Sequence, residues 1–238
     1  MLKRAVIFDL DDTLVAFDAV SLPSWRQACQ EYVQNNNRIS PQHIYEAIKK
    51  HSDWYWDDDT RHHDGRLDIK AARRSIVSAA FRELGLPPAE AVSLADRYSV
   101  VRMENMYLLP GVESTLQALC DRRFEMALLT NGESATQREK IKIFGLGKYF
   151  SHIFIEGEMG FGKPEQEIYR KALSEIGVSP DETYMVGDNL QWDVAAPQTL
   201  GIRSVWYDCK GTGLPPDAPA IPFKTILRIT ELLDILKT

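Results

Sequence analysis

The chain has 238 residues, with 28 Lys+Arg against 34 Asp+Glu for a formal net charge of −6, and at about 150 residues per domain this suits one large domain or one domain with a sizeable insert. A composition 44% hydrophobic and 26% charged, with 14 Gly and 12 Pro, belongs to a globule with a real core and excludes disordered, collagen-like and disulfide-scaffold chains. The acidic balance excludes a nucleic-acid binder that relies on neutralising phosphates, but not small phosphorylated ligands.

Three widely spaced cysteines, Cys29, Cys120 and Cys209, contain no CxxC pair, so neither a zinc site nor a disulfide framework is expected. The first apolar run ends after four residues at Asp9, too short for a signal peptide, and no stretch approaches a membrane span. The expected location is the cytoplasm, with reduced thiols and no membrane contact.

Arg4–Phe8 is a β-branched run ending at Asp9, as expected of a strand buried on both faces. From Val15 to Tyr107 the pattern turns helical, with segments over 21–35, 41–51, 67–84 and 88–106 and no strand between them. Ser40-Pro41 starts one of these helices as N-cap and first-turn proline, Gly85 stops another, and Ile69, Ala72, Ile76, Ala79, Ala80 and Leu84 form one stripe. After Pro110-Gly111 a helix over 112–120 leads to a strand over 124–130. Strand and helix then alternate through 152–155, 166–176, 183–187, 193–200 and 202–206, with 211–222 a Pro/Gly-rich surface loop and 230–236 a closing helix. The expected fold class is α/β: a Rossmann-like parallel-sheet core, residues 1–15 and 108–238, interrupted by an all-helical insert, 16–107.

Ligands of such sheets bind beyond the carboxyl ends of the strands. There the chain places Asp9-Leu-Asp11-Asp-Thr13, Thr130-Asn131-Gly132 and Gly187-Asp188-Asn189, with Asp193 on the next helix and Gly160-Phe-Gly162-Lys163-Pro164 between the last two. Two carboxylates two residues apart divide labour naturally, one as nucleophile and one as proton donor and acceptor. Asp188 adds an oxygen ligand suited to Mg²⁺, while Lys163 and the Thr130 hydroxyl can offset phosphoryl charge. Asp12 reads as a turn residue. Gly157 to Lys163 fits most of a nucleotide-binding GxxxxGK[ST] loop, but Pro164 cannot supply the hydroxyl that such a loop needs. His62-His63 are adjacent and cannot share a helix face as metal ligands, so a surface loop is expected there; Trp54-Tyr55-Trp56 are expected to pack between helices.

In this order, Asp9-x-Asp11-x-Thr13, Leu129-Thr130, Lys163-Pro164 and Gly187-Asp188…Asp193 resemble the four motifs of the haloacid dehalogenase-like (HAD) hydrolase superfamily. The resemblance implies a phosphatase working through an aspartyl-phosphate. Asp9 is the implied nucleophile and Asp11 the general acid and base; Asp9, the Asp11 backbone carbonyl and Asp188 are the implied Mg²⁺ ligands. Thr130, the Asn131 backbone and Lys163 are implied to bind the phosphoryl group, with Thr13 bracing the loop and Asp193 orienting Lys163 or a metal-bound water. Carbon–halogen-cleaving members typically carry a bulky non-acid where Asp11 stands, so this position implies phosphate chemistry. The insert corresponds in position to the C1-type cap that selects the leaving group. The expected activity is therefore Mg²⁺-dependent hydrolysis of a small phosphorylated metabolite, a nucleoside monophosphate or a sugar or glycolate phosphate, by a monomer or homodimer. A sugar phosphomutase, which shares the Asp pair, and a non-catalytic binding module are the alternatives.

Overall fold

The computed structural model describes residues 4–34 and 39–236. Their contacts divide into an α/β unit made of the two ends of the chain, up to Ala16 and from Tyr107 onward, and a helical unit, Phe17–Met106.

In the α/β unit six parallel strands form one sheet in the order β3-β2-β1-β4-β5-β6. They are β1 Ala5–Phe8, β2 Glu125–Thr130, β3 His152–Ile155, β4 Thr183–Gly187, β5 Arg203–Tyr207 and β6 Lys224–Ile226. All four residues of β1 are buried, as the central strand of a parallel sheet requires. On one face Ala5, Ile7, Ala127, Leu129 and Met185 pack against Ile168, Tyr169, Ala172 and Ile176 of a covering helix. The strand order runs one way from β1 through β2 and the other way from β4, so a topological switch point lies between β1 and β4. Phe8 pairs with both Leu128 and Val186, which brings the carboxyl ends of β1, β2 and β4 nearly level.

The helical unit contains α1 Ser21–Gln34, α2 Pro41–Trp56, α3 Asp59–Leu67, α4 Ile69–Glu83 and α5 Pro88–Asn105. Ser40 caps α2 by accepting the His43 N–H, and Pro41 takes the first helical position as expected. The buried stripe of α4 runs through Ala72, Ile76, Val77, Ala80 and Phe81. It packs with Ile44, Ile48 and Leu94, and with Trp25 stacked on Tyr98, in a core of its own. Asn35, the last residue of the first expected helix, lies outside the described residues.

Several expectations need correction. The surface loop expected at His62-His63 is helical: α2 continues past residue 51 to Trp56, and Asp58 starts α3 by accepting the Arg61 N–H at 2.8 Å. His62 and His63 are therefore helical, and the His62 ring packs edge-on against Trp56. Tyr55 and Trp56 pack against the helical core, but Trp54 is 61% exposed with the Arg61 guanidinium over its ring. The helix expected over 112–120 is α6 Val112–Asp121. A helix absent from the sequence reading, α7 Ser134–Ile143, follows β2; further on lie α8 Glu156–Met159 and α9 Gln166–Ile176. The helix expected over 193–200 begins earlier, as a π-helical turn over Leu190–Ala195. The short edge strand β6 has no counterpart among the expected strands. The final helix is a 3₁₀ turn at Ile229–Glu231 and a single α-turn, Leu232–Ile235.

Candidate active site

The loop leaving β1 folds on itself. Its Leu14 and Val15 N–H groups both donate to the Leu10 carbonyl, and the Asp12 N–H donates to Val15 O at 2.7 Å. Asp12 takes the left-handed conformation at φ 56°, which short polar residues tolerate best, consistent with a turn role. Asp9 extends the sheet through its N–H to Val186 O and is buried. The buried Thr13 hydroxyl makes a long, 3.5 Å contact to Asp9 Oδ2.

Lys163 is the buried centre of the site. Its ammonium lies 2.7 Å from Asp9 Oδ1 and 2.7 Å from Asp193 Oδ1. Burial alone would lower its pKa, but Asp193 and Asp9 more than reverse this and hold the cation above the usual lysine range. The Asn131 side chain fixes the backbone of Lys163 on both sides, accepting its N–H at 2.8 Å and donating to its carbonyl at 2.7 Å. Gly162 is needed for this embrace, because a Cβ there would stand 2.7 Å from Asn131 Oδ1 and 2.8 Å from Glu156. Gly157 likewise meets the backbone of Ser134 and Gly132. Close packing thus accounts for both glycines of the near-nucleotide motif.

Asp193 is held by the π-helical turn after β4. Asn189 caps that turn by accepting the Gln191 and Trp192 N–H groups, while Asp193 Oδ2 accepts the Asn189 N–H. The side chain fills the space where Gly187 has no Cβ; an added one would lie 2.2 Å from Asp193 Cγ and 2.6 Å from its Cβ. Gly187→Ala is therefore expected to cost about 1–3 kcal/mol through overpacking and to loosen the Lys163 pairing, as a lower urea midpoint would show.

Carboxylate oxygens of Asp9, Asp188 and Asp193 all lie within 4.8 Å of one another. Burial, chiefly, together with the like charges of Asp193 and Asp11, pushes Asp9 up to about 7 against the opposing pull of Lys163. Burial and the charges of Asp9, Asp193 and Asp12 push Asp188 up to about 9. The Asp188 backbone carbonyl accepts the Trp206 indole N–H at 2.8 Å. Asp9 and Asp188, crowded hard oxygen donors whose ionisation is opposed, suit a divalent cation of the Mg²⁺ type, which would relieve that opposition. The Asp11 carboxylate is not in this group of three. It is instead held by the buried Lys140 of α7, whose ammonium is 2.7 Å from both of its oxygens.

Thr130, at the end of β2, accepts a 2.6 Å hydrogen bond from Gln137 of α7, whose amide also reaches the Asn131 carbonyl at 2.8 Å and Asp11 Oδ2 at 3.2 Å. The structure thus gathers Asp9, Thr13, Lys163, Asp188 and Asp193 in one contiguous cluster, and ties Asp11, Thr130 and Asn131 together through α7. Gln137, Lys140 and the Asn131 side chain are the residues that sequence reasoning missed. Their signal is a Gln and a Lys three apart, shortly after the strand-end Thr130.

The profile of the haloacid dehalogenase-like hydrolase family matches residues 3–201. The chain is 40% identical over 164 residues to a phosphoserine phosphatase of Thermus thermophilus, a match covering 68% of this chain and 63% of that protein. It is 27% identical to the pyrimidine 5′-nucleotidase PynA of Streptococcus pneumoniae, over 99% of this chain and 96% of that one. The crystal structure of Bacillus subtilis YfnB bound to magnesium superposes over 100% of both chains, with a TM-score of 0.76 at 25% identity. Four motifs in order, a parallel sheet with its switch point beside Asp9, and a family match across most of the sequence lead to one classification: the chain belongs to the haloacid dehalogenase-like hydrolase family.

Proposed function

We propose that this protein is a Mg²⁺-dependent phosphomonoesterase acting on a small phosphorylated metabolite through an aspartyl-phosphate on Asp9. The observation that carries the reading is a buried Asp9 with one oxygen locked by Lys163 and the other in only a long contact with Thr13, beside a second carboxylate, Asp11, from the same loop. A carboxylate so oriented has an oxygen available for in-line attack on phosphorus. The names of the two relatives, a phosphoserine phosphatase and a pyrimidine 5′-nucleotidase, support phosphate as the reacting group.

Asp9 attacks phosphorus as the P–O bond to the leaving group breaks, and Asp11 gives its proton to the departing oxygen. Asp11 then takes a proton from water as that water attacks the phosphoryl group, which breaks the bond to Asp9 and releases inorganic phosphate. Lys163, the Thr130 hydroxyl and the Asn131 backbone hold the phosphoryl oxygens. Asp193 keeps Lys163 in place. Asp9, Asp188 and the Asp11 backbone carbonyl would hold Mg²⁺, which when bound supplies charge neutralisation. The helical unit is, in this reading, the C1-type cap that selects among nucleoside monophosphates, sugar phosphates and similar esters.

A screen of phosphorylated metabolites with Mg²⁺, scored by phosphate release, tests the proposal. It predicts selectivity of at least about 100-fold for one ester class over the rest. Isomerisation of a hexose phosphate without net phosphate release would instead identify a phosphomutase.

The raised acids also predict a pH-dependent stability. Asp9 and Asp188 have folded values above their unfolded ones, so the stability they confer is complete below about pH 4 and is lost as pH rises through about 7 to 9. Metal-stripped protein is therefore expected to lose thermal stability between pH 5 and pH 9. Saturating Mg²⁺ should raise the melting temperature by about 5–10 °C at pH 8.5, and by much less at pH 5. An equal Mg²⁺ effect at both pH values would contradict this assignment of the site.

A further inference from the structure

The most unusual group in the α/β unit outside the four motifs is Lys140. Its side chain is 1% exposed, yet it carries an ammonium that meets both oxygens of Asp11, a residue 129 positions earlier whose own side chain is 24% exposed. Burying such a cation is expensive, and a well-packed apolar residue would serve stability as well or better. What an ammonium provides that an apolar side chain cannot is a defined orientation for the carboxylate it holds. Without that tie, a partly exposed aspartate on a turn has other rotamers open to it.

Gln137 stands one helical turn before Lys140, on the same face of α7. The two protons of its amide are shared among three acceptors: the Thr130 hydroxyl, the Asn131 carbonyl and Asp11 Oδ2. The inward face of α7, with Gln137 and Lys140 both buried, is therefore a polar plate. It fixes the end of β2 and the Asp11 side chain relative to one another, a task that neither the β1 loop nor β2 performs alone.

We infer that Lys140, assisted by Gln137, is a positioning residue that sets the Asp11 carboxylate for its proton transfers and keys it to the Thr130-Asn131 strand end. The inference rests on the phosphomonoesterase reading above. It predicts a defect that depends on the leaving group. A poor leaving group needs the Asp11 proton; a good one departs largely without it.

The test measures kcat/KM for phenyl phosphate and p-nitrophenyl phosphate, esters of similar shape and different leaving-group basicity. Lys140→Met is expected to lose about 30-fold on phenyl phosphate and less than about 5-fold on p-nitrophenyl phosphate, the larger figure lying within the usual range for general acid catalysis. Inhibition by inorganic phosphate should stay within about 2-fold of wild type, since phosphoryl binding is not what Lys140 supplies, and in an Asp11→Asn background Lys140→Met should add no more than about 2-fold. Equal losses on both esters, a shifted phosphate inhibition constant, a further loss on top of Asp11→Asn, or full activity would each overturn the inference. If Lys140→Met does not fold, Lys140→Gln, neutral but polar beside Asp11, must show the same leaving-group bias, and equal losses in it overturn the inference as well. Failure of the wild type to hydrolyse either ester has a different meaning: it removes the phosphatase reading, and this inference with it.

Discussion

Asp9→Asn is expected to reduce phosphate release by at least about 10⁴-fold, the scale on which enzymes lose activity with their nucleophile. The substitution is nearly isosteric, and Asp9 already makes the sheet hydrogen bond to Val186 O through its backbone, so the fold should survive. The amide oxygen is a poor nucleophile and no longer forms a charge pair with Lys163, which would keep its bond to Asp193. Removing one of three crowded carboxylates also relieves the like-charge repulsion at Asp188. The inactive variant should therefore melt at or above the wild-type temperature in metal-free buffer at about pH 9, where that repulsion is stronger than at neutral pH. Loss of activity with undiminished stability is the pattern that separates a chemical role from a structural one. A variant retaining more than about 1% of wild-type turnover would mean that Asp9 is not the attacking group.

Lys163→Met is the second large effect, and here activity and stability should fall together. The ammonium is the cation that the buried Asp9 and Asp193 carboxylates share at 2.7 Å. Taking one partner from a buried ion pair typically costs about 3–5 kcal/mol, because the remaining charges are left uncompensated. Protonation of the acids offers a partial escape. Without Lys163 the folded pKa values of Asp9 and Asp188 rise further, so the lost stability should be largest above pH 7 and shrink toward pH 5, as urea unfolding at the two pH values would show. Phosphate release should drop by about 10³-fold or more, since the variant loses both the fixed orientation of Asp9 and a charge directed at the phosphoryl group. A uniform stability loss at both pH values would contradict the assigned charge balance.

The parts of the molecule legible in the sequence share a physical signature. β1, β2, β4 and β5 are apolar runs because a parallel sheet buries both faces, and the acids and Thr130 at their exits break those runs abruptly. The site residues carried by these exits could be named in advance for that reason. Helix α7 could not. Its buried positions include Gln137 and Lys140 alongside Ile141, so the face it turns inward is polar and no 3.6-residue apolar period announces it. The same polarity concealed the clamp on Asp11. Helix α3 escaped because it buries only Gly65 and is otherwise mostly polar, its start marked by a single capping aspartate among three consecutive ones. The π-helical turn at Leu190–Ala195 escaped because its cause is non-local: Asn189 caps it and Asp193 fills the place of a missing Gly187 side chain while reaching Lys163, none of which apolar spacing encodes.

The central claim is that the phosphoryl group passes through Asp9, and acid-quenching the Mg²⁺-loaded enzyme during turnover of p-nitrophenyl phosphate tests it most directly. Acyl phosphates persist in acid long enough for proteolysis and mass spectrometry. The account predicts one phosphoryl group on the tryptic peptide spanning residues 5–26, located at Asp9 rather than Asp11, Asp12 or Asp18, and absent from Asp9→Asn. Steady phosphate release with no phosphoryl group on that peptide at any quench time would contradict it and point to direct attack by water.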